Sequence, residues 1–600
     1  MLNRTTRLRW RRRFRIKRRQ VEGISTVAEE HLDRHLFKRI GRLYFVRRFI
    51  FTWILLLALL AIVLLSQIRR LGNHYQTLQP VPGGTFVEGM VGSFTNANPI
   101  YASSNVDSSV SKLVFSGLFK YDQKHNLVGD LAESWTVDER GVHYVVKLRP
   151  RLLWQDGYPL TAADIVFTYK SIQNPDAKSP LASSWQGITI TAKDAQTIYF
   201  DLPSALSSFP LSMTNGIVPK HLLSGIAASQ LRSVSFNTIK PVGSGPYRWD
   251  AVEVSGETPE TRMQQIALLP NDNYYGGKPL LNKFVIRSFN SDKQLQTSFN
   301  NQELNAMVGL SSTPKELVSK ANIYEYNIPL LSEVMVFLKN SNEILRDTKV
   351  RQALTLATDT TSVYKSLGYP VLAAKGPMLS SQFAYDKALD QLAYDPLLAG
   401  RYLDEAGWKI GAKGIRQKDG KPLTFNLYSQ NNPEYTKVTN MLASQWKSVG
   451  VDAQVVLQPD NELQATISYH SYDSLVFGIS LGIDPDVFPY WHSSQADPRL
   501  QNRLNFSEYK SGVADKSLEA GRTRSDPSIR KVKYRPFLEA WRNDAPAIAL
   551  YQPRLLYISR GRIFGFDPTS YNSGTDRYSN VDKWMIHEAR LQKPRTTKNL

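Results

Sequence analysis

The chain has 600 residues, a formal net charge of +21, 42% hydrophobic residues and no cysteine. That composition rules out disulfides, a lipid-modified cysteine and a thiolate nucleophile, and the length suffices for a core divided into two or three lobes. The charge is lopsided: residues 1–48 hold sixteen Lys or Arg against four acids, a net of +12, and Arg69 and Arg70 add two more, leaving +7 for residues 71–600. The basicity thus belongs to a short arm and does not mark the bulk of the chain as nucleic-acid binding.

In chain order, residues 7–19 form a basic run with Trp10 and Phe14 interleaved, which suits a topology signal and attraction to anionic lipid. Leu32, Leu36, Ile40 and Leu43 recur at helical spacing, as in an amphipathic helix lying on the inner leaflet. His31 and His35 stand at i and i+4, with no carboxylate arrangement to complete a metal site. Residues 49–65 then carry no charge and one polar side chain, Thr52. Extended through Ser66, Gln67 and Ile68, the run is about 30 Å long as a helix, enough to cross a bilayer. Arg47 and Arg48 close one end and Arg69 and Arg70 the other. The basic arm places the N-terminus in the cytoplasm and the remainder outside. A cleavable signal peptide is the rival reading, but Leu64-Leu65-Ser66-Gln67-Ile68-Arg69 lacks a small-x-small cleavage site, so an uncleaved signal anchor is expected.

Beyond a linker at 69–82, Thr85–Val91 reads as a first strand, followed by a loop with Asn96, Asn98 and Pro99. Runs at 135–137 and 142–148 flank Asp138-Glu139-Arg140-Gly141 as a hairpin. Thr161 and Asp164 have the spacing of a helix N-cap, with Ile165, Val166, Tyr169 and Ile172 as the apolar face. Further on, Asp395 caps a helix with Pro396 at its first position and Gly407 at its end. A second helix carries Val438, Met441, Leu442 and Val449 on one side, and residues 451–457 follow as a strand. Helices alternating with strands predict α/β lobes, and the hairpins add antiparallel sheet. Catalytic motifs are missing: there is no His-Glu-x-x-His, Gly-x-Ser-x-Gly or phosphate-binding Gly-x4-Gly-Lys, and the nine histidines are scattered. Asp484 and Asp486 could serve a hydrolase, or simply cap the turn at Pro485. No enzymatic activity and no cofactor are expected.

The passage Leu131-Ala132-Glu133-Ser134-Trp135, then Tyr144-Val145-Val146-Lys147-Leu148-Arg149, then Trp154-Gln155-Asp156-Gly157-Tyr158-Pro159-Leu160-Thr161-Ala162-Ala163-Asp164 resembles the family 5 extracellular solute-binding proteins, the dipeptide, oligopeptide and nickel-binding proteins of ABC importers. The resemblance continues in order through Gly243-Ser244-Gly245-Pro246-Tyr247, Asn271-Asp272-Asn273-Tyr274-Tyr275, Val350-Arg351-Gln352-Ala353-Leu354, Tyr394-Asp395-Pro396 and Asp544-Ala545-Pro546. It covers roughly residues 83–565 and leaves the arm and the apolar segment outside.

This resemblance implies an α/β, periplasmic-binding-protein-like (type II) two-lobed clamshell with an extra subdomain, preceded by one transmembrane helix. The expected division is a cytoplasmic arm at 1–48, the span at 49–68, the linker at 69–82, a first lobe at 83–330 plus 546–590 with an inserted subdomain at about 115–235, a second lobe at 331–545, and a basic tail at 591–600. The lobes would be joined by crossovers near 327–340 and 545–557 and would close by a hinge on a ligand. The implied function is capture of peptides and delivery to membrane permease subunits, by a monomer that binds no nucleic acid. Other ligands (a nickel chelate, an oligosaccharide) and a sensory module on the same fold are the alternatives.

By resemblance, Gly478, Ile479 and Ser480 line the cleft, together with Asn98, Tyr274, Tyr490 and Trp491. Peptide binders of the family commonly carry an aromatic residue after the glycine, and a few residues later an aspartate that pairs with the ligand's α-amino group. Here Ile479 and Gly482 occupy those places. Either Asp484 takes the amine, or the ligand presents no free amino terminus to bind. His492 reads as an ordinary surface residue rather than a metal ligand.

Overall fold

The computed structural model describes residues 47–592, apart from 123, 125, 259–260, 319, 412, 498 and 500–502. The basic arm with His31 and His35, its amphipathic stretch and the tail from 593 onward lie outside the described residues. The chain falls into two compact units, one of Met1–Pro80 with Glu588–Leu600 and one of Val81–His587.

In the first unit, the helix Arg47–Tyr75 contains Phe51–Ile68, the one stretch among the described residues long and apolar enough to cross a membrane. Its apolar side chains are exposed on every face, as Leu55 at 60% and Ile62 at 65% illustrate. Its two hydroxyls bond back to their own helix, Thr52 Oγ1 to Arg48 O (2.6 Å) and Ser66 Oγ to Val63 O (2.8 Å). Such back-bonding leaves no hydroxyl unsatisfied in a surrounding without water. The strand Gln76–Val81 pairs with His587–Gln592 in a two-stranded ladder.

Two mixed sheets carry the second unit. The first has seven strands, in the order Ile323–Pro329, Arg554–Arg560, Ala306–Val308, Thr85–Val91, Lys283–Phe289, Met263–Pro270 and Tyr247–Ser255. The second has six: Leu372–Ala373, Ala547–Gln552, Ser332–Leu338, Ser474–Ser480, Thr424–Gln430 and Asp452–Gln458. Only two connections join them. The chain leaves the first sheet at Pro329 and enters the second at Ser332; it leaves the second at Gln552 and re-enters the first at Arg554. Ala547–Gln552 therefore belongs to the second lobe, a correction to the expected division at 546. The runs 547–551 and 555–558 are both apolar, and the boundary falls between them at Gln552-Pro553-Arg554, where Pro553 lacks a ladder donor.

An inserted subdomain holds the four-stranded antiparallel sheet Ala132–Val137, His143–Leu148, Thr197–Asp201 and Thr189–Ala192. The hairpin turn between the first two is tied by Asp138, whose Oδ1 accepts from the amides of Val142 and His143. Beside it, Thr161 and Asp164 form the capping box of the helix Ala162–Gln173, which buries Ile165, Tyr169 and Ile172. In the second lobe, Asp395 caps the helix Pro396–Glu405 (Oδ1 to Leu398 N, 2.9 Å), and Gly407 ends it at φ +86.

Each lobe packs its own core. In the first, Phe86, Phe284 and Trp584 meet at ring distances of 5.3–6.2 Å. Beside them lies a fully buried charge: Glu88 accepts from Arg577 Nη2 (2.6 Å) and Tyr557 Oη (2.9 Å), and from Tyr578 Oη. The second sheet is sandwiched between two apolar clusters, with Val334, Val336 and Leu338 on one face and Met335 and Phe337 on the other. By that alternation Glu333 shares the face of Met335 and Phe337. It is completely buried, and neither carboxyl oxygen has a protein partner. Burial holds its carboxyl well above the ordinary carboxylate range.

The folded protein thus keeps the Glu333 proton while the unfolded chain releases it above about 4.5, so this residue subtracts stability as pH rises. Below pH 4.5 the effect vanishes; above it stability falls by about 1.4 kcal/mol per pH unit until the folded group itself ionises. In urea melts between pH 5 and 8, Glu333→Gln is expected to lose that slope. An unchanged slope would show Glu333 ionised in the fold.

Candidate functional site

The strand Ser474–Ser480 runs up to the crossing between the lobes: just past its end, the amides of Leu481 and Gly482 donate to Leu331 O at 3.0 and 2.9 Å. This strand lies between Ser332–Leu338 and Thr424–Gln430 in the second sheet, and its residues alternate between the two cores. Leu475 and Ile479 (3% exposed) enter one, Val476 the other. Gly478 faces Tyr435, whose hydroxyl stands 3.0 Å from where a Cβ would be; the tyrosine occupies the side-chain space that the glycine leaves. Ser480, at the strand's exposed end, accepts from Tyr490 Oη through its carbonyl (2.7 Å).

Several residues expected in the cleft wall are interior. Trp491 is fully buried, stacked on Phe337 at 5.9 Å and edge-on to Trp541 at 5.7 Å. Ile479 is likewise core. Asn98 is fully buried: its Oδ1 accepts from Ile100 N (3.0 Å) and its Nδ2 donates to Asn237 Oδ1 (3.0 Å), so it shapes its loop instead of meeting a ligand. Tyr274 is 8% exposed, packed on Tyr275 beside a cavity of only about 20 Å³. The sequence pattern identifies these positions but cannot separate a wall from the packing behind it, because alternate strand residues look equally apolar.

Asp484 is already engaged. Arg530 Nη1 and Nη2 donate to its two oxygens at 2.7 and 2.6 Å. Arg530 is 3% exposed, donates through Nε to Gly521 O (2.9 Å), and sits 5.1 Å above the Phe383 ring. Burial pulls this guanidinium's proton affinity down, but the Asp484 carboxylate outweighs it and holds the group above its ordinary value. A carboxylate clamped in this bidentate way has little left to offer an ammonium. Of the two readings left open by the sequence, the geometry favours the one in which Asp484 does not take an amine. The missed partner, Arg530, lies 46 residues further on in the helix Pro527–Asp544, and nothing local in the sequence marks it.

The first lobe presents a cavity of about 210 Å³ lined by Pro99, Ser108, Lys112, Tyr121, Asn215 and Asn572, among others. The lobes meet at its edge. Asn572 Oδ1 lies 3.1 Å from where a Cβ on Gly482 would stand, and Gly482 has φ +68, a conformation that favours glycine. Tyr121 has its phenol pushed up by burial and then by the charges of Asp576 from its own lobe and Asp484 from the other. The cavity wall and the Asp484 turn are therefore electrostatic neighbours across the cleft.

His492 is satisfied within the protein, with Nε2 3.2 Å from Glu519 and Nδ1 capping the turn Ser493–Gln495. Among the described residues no group of three or more His, Asp or Glu is arranged to hold a metal ion.

The family model of bacterial extracellular solute-binding proteins, family 5 Middle, matches residues 126–498. The chain is 28% identical over 520 residues to the oligopeptide-binding protein AppA of Bacillus subtilis, covering 85% of this chain and 92% of that protein. Among solved structures, AppA of Bacillus subtilis in complex with a nonapeptide superposes with TM-score 0.69 at 27% identity, over 85% of this chain and all of that one. NikZ of Campylobacter jejuni in complex with Ni(L-His) superposes with TM-score 0.71 at 27% identity, over 84% of this chain and 99% of that one.

Replacing Asp484 by Asn leaves Arg530 as a buried, half-paired cation and is expected to cost about 3–5 kcal/mol of stability. Any weakening of peptide binding should then be the same for free-amine and N-acetylated peptides in parallel titrations. A loss confined to free-amine peptides, with unchanged melting, would return Asp484 to the ligand site.

Proposed function

Because the chain belongs to the bacterial extracellular solute-binding proteins, family 5, we propose that it captures peptides between its two lobes and hands them to the permease of an ABC importer. The observation that carries this reading is the likeness to AppA, which extends over 85% of the chain and includes a structure holding a nonapeptide. The cleft chemistry agrees with it. The pairing of the strand Ser474–Ser480 with Thr424–Gln430 stops at Leu475, which leaves room beside its end toward Ser480 for an extended ligand as an added strand, an affinity that does not depend on the ligand's side chains. Gly478, Ser480 and Tyr490 are the residues we assign to that wall. Asp484 supports it through Arg530.

The helix Arg47–Tyr75 then serves as an uncleaved anchor, holding the binding unit on the outer side of the membrane. The arm before it is assigned to the cytoplasmic face, where its charge suits anionic lipid. The likeness to NikZ bound to Ni(L-His) favours a second reading, a small metal chelate as ligand.

Native mass spectrometry of the full chain extracted in mild detergent decides between them. A mixture of short peptides is expected; a single nickel–histidine adduct would replace the first reading by the second. N-terminal sequencing of the membrane-extracted protein is expected to find residues preceding Arg48. A mature end just after Ser66 would make the apolar segment a signal peptide.

A further inference from the structure

The inserted subdomain touches the second lobe directly. Ser207 N donates to Arg522 O at 2.9 Å. Ser208 Oγ donates to Asp486 Oδ2 at 3.0 Å, and the same oxygen accepts from Arg522 Nη2 at 2.9 Å. One carboxylate oxygen is thus shared between a hydroxyl from one lobe and a guanidinium from the other, across 278 residues of sequence.

Both sides of this contact are held rigidly. Ser208 is followed by Phe209, which is fully buried among Tyr144, Trp185 and Phe200 at ring distances of 5.1, 5.5 and 5.7 Å. On the other lobe, Asp486 belongs to the Asp-Pro-Asp turn whose first aspartate is clamped by Arg530. Arg522 ends the helix Gly512–Arg522 and lies 4.1 Å above the Phe488 ring, which fixes its guanidinium beside Asp486. The groups that meet are set in position before the lobes come together, so little side-chain freedom is lost on contact.

We propose that Ser207 and Ser208 of the subdomain, closing on Asp486 and Arg522 of the second lobe, form a latch that holds the clamshell shut. Every bond in it runs from protein to protein, so its contribution to closure is the same whatever occupies the cleft. It is polar throughout, and hydrogen bonds that exchange with water at small net gain allow the lobes to part again. An apolar seam of the same extent would hold them closed. The Asp486–Arg522 pair lies within one lobe and persists on opening; Ser208 and the Ser207 amide supply the part of the latch that comes and goes. The short segment from Leu481 to Asp486 joins hinge and latch: its start bonds to Leu331 at the crossing and its end to Ser208 of the subdomain.

The absence of native cysteine makes the test direct. Cysteines introduced at exposed Lys193 in the subdomain and Leu397 in the second lobe carry a donor and acceptor dye on the full chain in detergent, and single-molecule energy transfer reports the closed and open populations. Ser208→Asp sets a second carboxylate against Asp486 and is expected to lower the closed-to-open ratio about tenfold. Ser208→Ala removes only the hydroxyl and is expected to lower it about threefold; it settles the question if the aspartate variant misfolds. Closed populations in both variants equal to the parent would overturn the latch, as would a parent chain found only open.

Discussion

The relation between the lobes depends on two short crossings that are bonded to each other. Leu330 N donates to Pro553 O at 2.9 Å, so the outgoing and returning chains move as a pair. Leu331 extends the knot: its amide donates to Tyr571 O (2.7 Å), and its carbonyl accepts from the amides of Leu481 and Gly482 (3.0 and 2.9 Å). Proline at 553 has no amide hydrogen, and the ladder has to break there. This break is what makes two sheets out of strands that would otherwise run on. The end of the strand Ser474–Ser480 is tied to the same carbonyl, so strand end and crossing form one piece.

The lobes treat buried charge in opposite ways. In the first, Glu88 is surrounded by Arg577, Tyr557 and Tyr578, which join the first strand to segments near the end of the second unit. Removing one partner from such a set costs about 3–5 kcal/mol, because the other is left charged and dry. This network therefore specifies how the returning chain docks on a sheet begun almost 500 residues earlier. In the second, Glu333 has no partner and stays protonated. It stands in register with Ile479 of the neighbouring strand Ser474–Ser480. A neutral acid is tolerated there; an ionised one would have to leave the core.

At the cleft, the aspartates that invite a functional reading are neutralised by arginines of the helix pair behind them. Asp484 is given over to Arg530, and Asp486 to Arg522 and Ser208.

Local signals in the sequence were sufficient wherever the physics is local. The apolar helix, the Asp138 hairpin, the Thr161 capping box, the Asp395 cap with Pro396 and Gly407, and the family pattern from Leu131 to Asp164 each rest on neighbours within a few residues. The family and its two-lobed fold were legible for the same reason. Long-range pairing was not. Nothing near Asp484 announces Arg530, nothing near Ser208 announces Asp486, and the break at Gln552-Pro553-Arg554 does not say which strand belongs to which sheet. By itself the sequence determined the segment that can cross a membrane, the fold family and the absence of recognisable catalytic motifs. Only the tertiary structure decided which cleft residues face inward and which aspartates are free to bind. Burial and charge pairing arise between elements tens to hundreds of residues apart, and periodicity along the chain carries no record of them.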